Sequence, residues 1–186
     1  MKAIRIIFGI IVCLAIICFV VYAYYGGLTD VKFQVKQEGG DYLVYQKITG
    51  PYKQSGEVIR QINYQLLNEK IETSKSFGIY YDNPKTVEKS KLRSEAGCIL
   101  ETADTAKTYW LRAKFNIKIS PIKKYITTEF PLKNSMSIMV SLIKVYPAIE
   151  KYVKENNYTQ TGSVMEIYDT PNKKILYRIE IRDSGK

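Results

Sequence analysis

The chain has 186 residues, 46% hydrophobic and 25% charged, with a formal net charge of +10: a globular composition with an apolar addition. It contains no histidine, which removes the commonest general base, the Ser-His and Cys-His nucleophile pairs and the commonest metal ligand. Two of the three cysteines, Cys13 and Cys18, lie in the apolar N-terminal run. Cys98 alone remains for the folded part, with no internal disulfide and no zinc-ligand spacing, so neither a metal nor a cofactor is expected.

Ile4 to Tyr25 is interrupted only by Arg5. About 20 apolar residues is the length a bilayer core asks of a helix, and Tyr22, Tyr24 and Tyr25 supply an aromatic belt at its end. A cleaved signal peptide would have a shorter apolar region and a small-x-small site, which Ala23 among tyrosines does not provide. The reading is a retained, single-pass signal anchor over residues 1–25. Lys2 and Arg5 before the span nearly balance Lys32 and Lys36 after it, with a slight lean toward an inside N-terminus. Residues 1–25 hold no acid, so the rest of the chain carries +8. That charge is mostly scattered lysine, which suits a surface near anionic lipid better than nucleic acid, for which clustered arginine is usual. No nucleic-acid partner is expected.

Residues 26–40 read as a linker with one short strand, Val31 to Gln37, closed by Gly39-Gly40. Tyr42 to Ile48 is the first long strand. Gly50-Pro51-Tyr52 then opens a helix, with Pro where its missing N–H costs little. Val58, Ile59, Ile62, Leu66 and Leu67 mark one face of it. Phe77 to Tyr81 runs apolar and aromatic into Asp82-Asn83-Pro84, a turn signal. Leu92 to Leu100 is the partner strand, with Gly97 as a bulge or point of close approach. Glu101 to Thr108 reads as a loop. Tyr109 to Ile119 alternates and reads as strand, with a helical turn at most. Lys124 to Phe130 opens a second unit. Met136, Met139, Leu142, Ile143, Tyr146, Ile149 and Val153 form its amphipathic stripe, in which Pro147 should kink or restart the helix. Met165 to Tyr168 then runs into Asp169-Thr170-Pro171, and Lys174 to Arg182 closes the chain. The fold class is therefore α+β: a strand-helix-strand-strand unit used twice, its antiparallel sheet packed on two main helices, after one transmembrane helix. The domain runs over 41–186, with units at 41–101 and 109–182. The Asp82 and Asp169 turns should superpose by a rotation near two-fold.

Gly50-Pro51-Tyr52 at a strand-to-helix junction, Tyr80-Tyr81-Asp82-Asn83-Pro84 and Lys91 to Gly97 resemble the motifs of the GyrI-like (gyrase-inhibitor-like) family. Phe130-Pro131, Tyr146 to Glu155 and Glu166-Ile167-Tyr168 are similar to its second half. The closer resemblance is to single-pass membrane members, among them an animal ER-phagy receptor, and it implies a cytosolic domain. That receptor's acidic tail has no counterpart before Lys186, so its tail function is not expected here. The resemblance implies a small-molecule-binding domain with a groove between its units. Drug-binding members hold a glutamate in the last strand. The aligned position here is Arg178, with Glu180 on the same strand face.

If that architecture holds, Ile175, Tyr177, Ile179 and Ile181 face the helices, and Leu176, Arg178, Glu180 and Arg182 face the groove. The candidate ligand-binding residues are Trp110, Glu129, Tyr168, Arg178 and Glu180: aromatic walls with a few placed charges. Core packing competes for the aromatics, and cross-strand ion pairs compete for Glu129 and Glu180. Glu180 would anchor a cation, Arg178 an anion. The function expected is binding of a small hydrophobic or amphipathic ligand, or of a protein partner segment, at a membrane, without catalysis. The alternatives are a non-catalytic membrane adaptor and a carboxylate-dependent hydrolase.

Overall fold

The computed structural model describes residues 2–101 and 111–183. Helix α1 covers Lys2–Tyr22 and none of its residues is buried. It is long and apolar enough to cross a membrane. It passes into a wide turn, Ala23–Gly27, whose two glycines are buried. Strands β1 (Gln34–Glu38) and β2 (Tyr42–Thr49) follow, then α2 (Ser55–Asn68), β3 (Lys75–Tyr80), β4 (Arg93–Leu100), β5 (Asn116–Ile119), β6 (Lys123–Pro131), α3 (Ser135–Glu155), β7 (Tyr158–Asp169) and β8 (Lys174–Asp183).

The eight strands among the described residues form one sheet in the order β1-β6-β8-β7-β3-β4-β2-β5. Read from either end, this order exchanges β2-α2-β3-β4 with β6-α3-β7-β8. The equivalent strands β3 and β7 pair antiparallel at the centre, Lys75 with Asp169 and Tyr80 with Val164. The Asp169 and Asp82 turns thus sit at opposite ends of the central strand pair, as a two-fold between those strands requires. Each unit's leading strand crosses to the other: β1 pairs with β6, and β5 with β2.

Alternation sorts the sheet into two faces. On one, α3 packs through Val140, Val145 and Ile149 on Ile175, Tyr177 and Ile179, and α2 packs through Ile62 and Leu66 on Val44 and Cys98. On the other, Leu43, Phe77, Ile99 and Ile167 form a separate buried cluster that no described helix covers. The sheet covers it by curling. Asp41 at the start of β2 and Arg178 in β8 are four strand steps apart, about 19 Å in a flat sheet at about 4.8 Å per step, yet they are hydrogen-bonded.

The curl is clasped where the two crossovers meet. Gly40 N–H donates to Ser120 O at 2.8 Å and Ser120 N–H to Asp41 O at 2.8 Å. The Ser120 hydroxyl donates to Asp41 Oδ2 at 2.9 Å. Gly39 has φ +125°, and a Cβ there would lie 2.2 Å from Pro121 O, so this crossing tolerates only glycine. Arg178 pins the clasp, with Nη2 2.9 Å from Glu38 Oε2 and Nη1 on Asp41. Replacing Arg178 by Ala leaves two largely shielded carboxylates facing each other. It should lower unfolding stability by about 2 kcal/mol, less than the 3–5 of a fully buried pair, with Lys restoring only part. Urea denaturation of the three forms measures this.

Two local expectations change. Of Tyr109 to Ile119, residues 109–110 lie outside the described residues, and from Leu111 on the chain is strand only from Asn116. The amides of Lys114 and Phe115 both donate to Leu111 O, and this helical turn puts Leu111 and Phe115 together in the α2 cluster. Apolar residues four apart fit either period in so short a run. Pro147 lies inside α3, which continues through it as one helix. The carbonyl that loses its donor is that of Ile143, an exposed residue whose carbonyl water can serve.

Candidate functional site

The motifs at the ends of the first unit meet. Gly50-Pro51-Tyr52 turns β2 into α2, and the Tyr52 hydroxyl donates to Asp82 O at 2.7 Å and accepts from Asp82 N at 2.9 Å. Asp82 takes the Arg93 guanidinium through both oxygens, at 2.7 and 3.1 Å. Arg93 holds the Asp82 carboxyl below the usual carboxylate range. The Tyr52 ring meets Tyr80 edge-on, centroids 4.8 Å apart. Tyr80 lies on the helix-facing side of β3.

Next to it on the same face lies Glu166. In β7 the helix-facing positions are Val164, Glu166 and Tyr168, and Glu166 pairs with Gly78 on β3 and Tyr177 on β8. It sits at the seam between the units, between the clusters under α2 and α3, and is 1% exposed. The Tyr146 hydroxyl, from α3, donates to Oε1 at 2.7 Å, and the Tyr168 hydroxyl donates to Oε2 at 2.6 Å. The Tyr177 ring stands perpendicular to Tyr146 at 6.2 Å, its hydroxyl donating to Ser141 Oγ at 2.7 Å. Among the described residues no lysine or arginine pairs with Glu166. Burial raises its carboxyl above the ordinary value, and the two tyrosine hydroxyls pull it partly back. Burial first, then the Glu166 charge, pushes Tyr80 up to about 12. Tyr146 and Tyr168 rise well above their usual value for the same two reasons. An acid ringed by tyrosines, with no cation beside it among the described residues, can pair chemically with a positive charge.

Of the residues expected from sequence, Tyr168 belongs to this cluster. Arg178 and Glu180 lie on the opposite face of the sheet. Arg178 closes the clasp, and Glu180 pairs with Lys123 at 2.6 Å. Glu129 is 56% exposed and pairs with Lys174 at 2.9 Å. Trp110 lies outside the described residues. The face of β8 carrying Leu176, Arg178 and Glu180 is therefore the inside of the curl, and the tyrosine-lined acid lies between the helices instead. Glu166 is not among the candidate ligand-binding residues of the sequence, although it begins the Glu166-Ile167-Tyr168 motif. Its signal is an acid inside the short run Val164-Met165-Glu166-Ile167-Tyr168, otherwise apolar and aromatic, two residues from a tyrosine on the same face. A cleft of about 770 Å³, lined by Asp41, Lys75, Glu101 and Asp169 among others, shares no residue with this cluster.

The fold and sequence have known counterparts. The C-terminal domain of EcmrR is similar over 82% of this chain and 98% of its own, with a TM-score of 0.59 at 12% identity. The structure of SAV2435 bound to tetraphenylphosphonium is similar over 81% of this chain and 94% of its own, with a TM-score of 0.55 at 12% identity. Testis-expressed protein 264 homolog of Mus musculus is 36% identical over 88 residues, 44% of this chain. The Homo sapiens protein is 32% identical over 87 residues. In each the match spans 28% of the relative's length. The GyrI-like small molecule binding domain matches residues 32–182, and the chain belongs to that family.

Proposed function

We propose that this is a membrane-anchored GyrI-like domain that binds a lipophilic cation between its two helices, with Glu166 as the counter-charge and Tyr80, Tyr146 and Tyr168 as the walls. The observation that carries this reading is the buried, unpaired Glu166 carboxyl held by two tyrosine hydroxyls. The tetraphenylphosphonium complex of a protein with the same fold supports it. The site is closed over Glu166, so the ligand must displace tyrosines. Tyr146 is the nearest movable wall: it precedes Pro147, where α3 lacks one backbone hydrogen bond. Binding fits better than hydrolysis, because both carboxylate oxygens are taken by hydroxyls and water does not reach them. Helix α1 is the anchor, a reading supported by its length, its composition and the absence of any buried residue in it.

The test is titration of the chain from residue 22 onward with tetraphenylphosphonium and with tetraphenylborate, an anion of the same shape. Saturable binding of the cation alone is expected. Equal binding of both ions, or of the anion alone, overturns the reading, and no binding by a folded chain leaves a non-catalytic adaptor. Tyr146→Phe removes the hydroxyl bond on Oε1 that an entering ligand has to break, and should strengthen the cation by about 1 kcal/mol, the net worth of a typical hydrogen bond. The same titration checks it.

A further inference from the structure

The first half of α3 carries an apolar stripe on its solvent face: Met136, Met139, Leu142 and Ile143 are 39%, 58%, 46% and 68% exposed. The second half of that face carries Glu150, Lys151 and Lys154, all exposed. A helix serving only as a cover for the sheet has no reason to change character midway. The apolar half is the half fastened to the end of α1. Asn134 Nδ2 donates to the Tyr25 hydroxyl at 3.0 Å. Lys133 Nζ sits 3.6 Å from the Tyr24 ring centroid, and Lys144 Nζ donates to Gly27 O at 2.5 Å. Along the chain the stripe lies between the residues that make these ties. Tyr24 and Leu28, at and next to these ties, are 61% and 62% exposed.

We propose that the first three turns of α3 lie in the interfacial layer of the membrane, with Met136, Met139 and Ile143 among the upper acyl chains and Lys133 and Lys144 at lipid phosphates. This rests on α1 being the anchor. Its warrant is continuity: α1 delivers Tyr22–Tyr25 to the bilayer surface, and α3 is held against those residues. An amphipathic face with flanking lysines is suited to that layer, and long lysine side chains reach from it to the headgroups. The charged second half then rises away from the membrane, and the domain docks on the bilayer by two points.

The full chain, with C13S and C18S, is reconstituted in phosphatidylcholine–phosphatidylglycerol vesicles and labelled with an environment-sensitive fluorophore at a new cysteine. Cys98 is fully buried and stays unlabelled. Probes at Leu14→Cys, Met139→Cys, Lys154→Cys and Tyr64→Cys, the last on α2, are compared with spin-labelled lipids as quenchers. Strong quenching of the Met139 probe by lipid labelled near the headgroup is expected. The Leu14 probe should be quenched by lipid labelled deep in the chain, and the other two by neither. A quenched Leu14 probe with a Met139 probe as bright as the Tyr64 probe overturns the docking and leaves the anchor standing. That pattern would point to a protein partner for the stripe. An unquenched Leu14 probe overturns both.

Discussion

Replacing Glu166 by glutamine should leave the domain folded and weaken tetraphenylphosphonium binding by about 10- to 150-fold, or about 1.5–3 kcal/mol for a lost charge-assisted contact. Glutamine keeps the shape. Its carbonyl can accept from one of Tyr146 and Tyr168, and its NH2 can donate to the other. What disappears is the negative charge. The pH dependence separates the charge from the shape. Burial raises the Glu166 carboxyl above 4.5 in the folded chain, so between about 4.5 and the raised value the native state holds a proton that the unfolded state has released. Stability linked to this group is therefore fully present below the unfolded value and is lost as pH rises through the folded one. The Gln variant has no such loss. Urea midpoints of the two proteins should draw together at acid pH and separate toward neutrality, with the variant higher. Cation affinity runs the other way. It rises with pH as Glu166 ionises and then levels, and in the variant it is flat. Parallel pH profiles for the two proteins would remove Glu166 as the charged anchor.

Much of this was legible beforehand, and the parts that were not share a cause. The duplication could be read because both units end a strand in Asp-x-Pro, and the helices because their apolar residues recur at three and four. The Gly-Pro-Tyr and Tyr-Tyr-Asp-Asn-Pro motifs prove to be two halves of one contact, Tyr52 on Asp82, which neither shows alone. What the strand pattern did not reveal was which face becomes the inside. Alternation correctly divides β8 into Ile175–Tyr177–Ile179 and Leu176–Arg178–Glu180, but it is silent on curvature. In a flat sheet the second set would be an open groove, and Arg178 and Glu180 would be its charges. In the curled sheet the apolar members of that face close on each other. Arg178 is consumed by Glu38 and Asp41, which arrive from a crossover 137 residues away in the case of Asp41. Glu166, by contrast, is buried with no described lysine or arginine beside it, and its two oxygens are held by Tyr146 and Tyr168. The convergence of tyrosines from β3, α3, β7 and β8 is a long-range fact with no local period.

Changing Gly97 to Ala should be the most damaging of these substitutions to the fold, lowering stability by about 3 kcal/mol, the upper end of the usual cost of overpacking. Gly97 lies in β4 between Tyr45 of β2 and Phe77 of β3, on the inside of the curl. A Cβ there would be 1.9 Å from Val44 O and 2.9 Å from Tyr45 Cα. Both are backbone atoms of the neighbouring strand, so no rotamer change relieves the clash and β2 must move away from β4. That displacement opens the curl at the wall opposite Arg178 and exposes Leu43 and Ile99, which are 0% and 5% exposed. Gly78 is the comparison. Its Cβ would meet the Tyr80 hydroxyl at 2.6 Å, the far end of a side chain that can swing. Gly78→Ala should therefore cost little stability but displace Tyr80 from its place beside Glu166, and so weaken ligand more than fold. Urea midpoints and tetraphenylphosphonium titrations of the two variants should dissociate in opposite directions. A Gly97→Ala protein within about 1 kcal/mol of the wild type would mean that β2 and β4 are not held at this separation, and the closure of the sheet on itself would need another support.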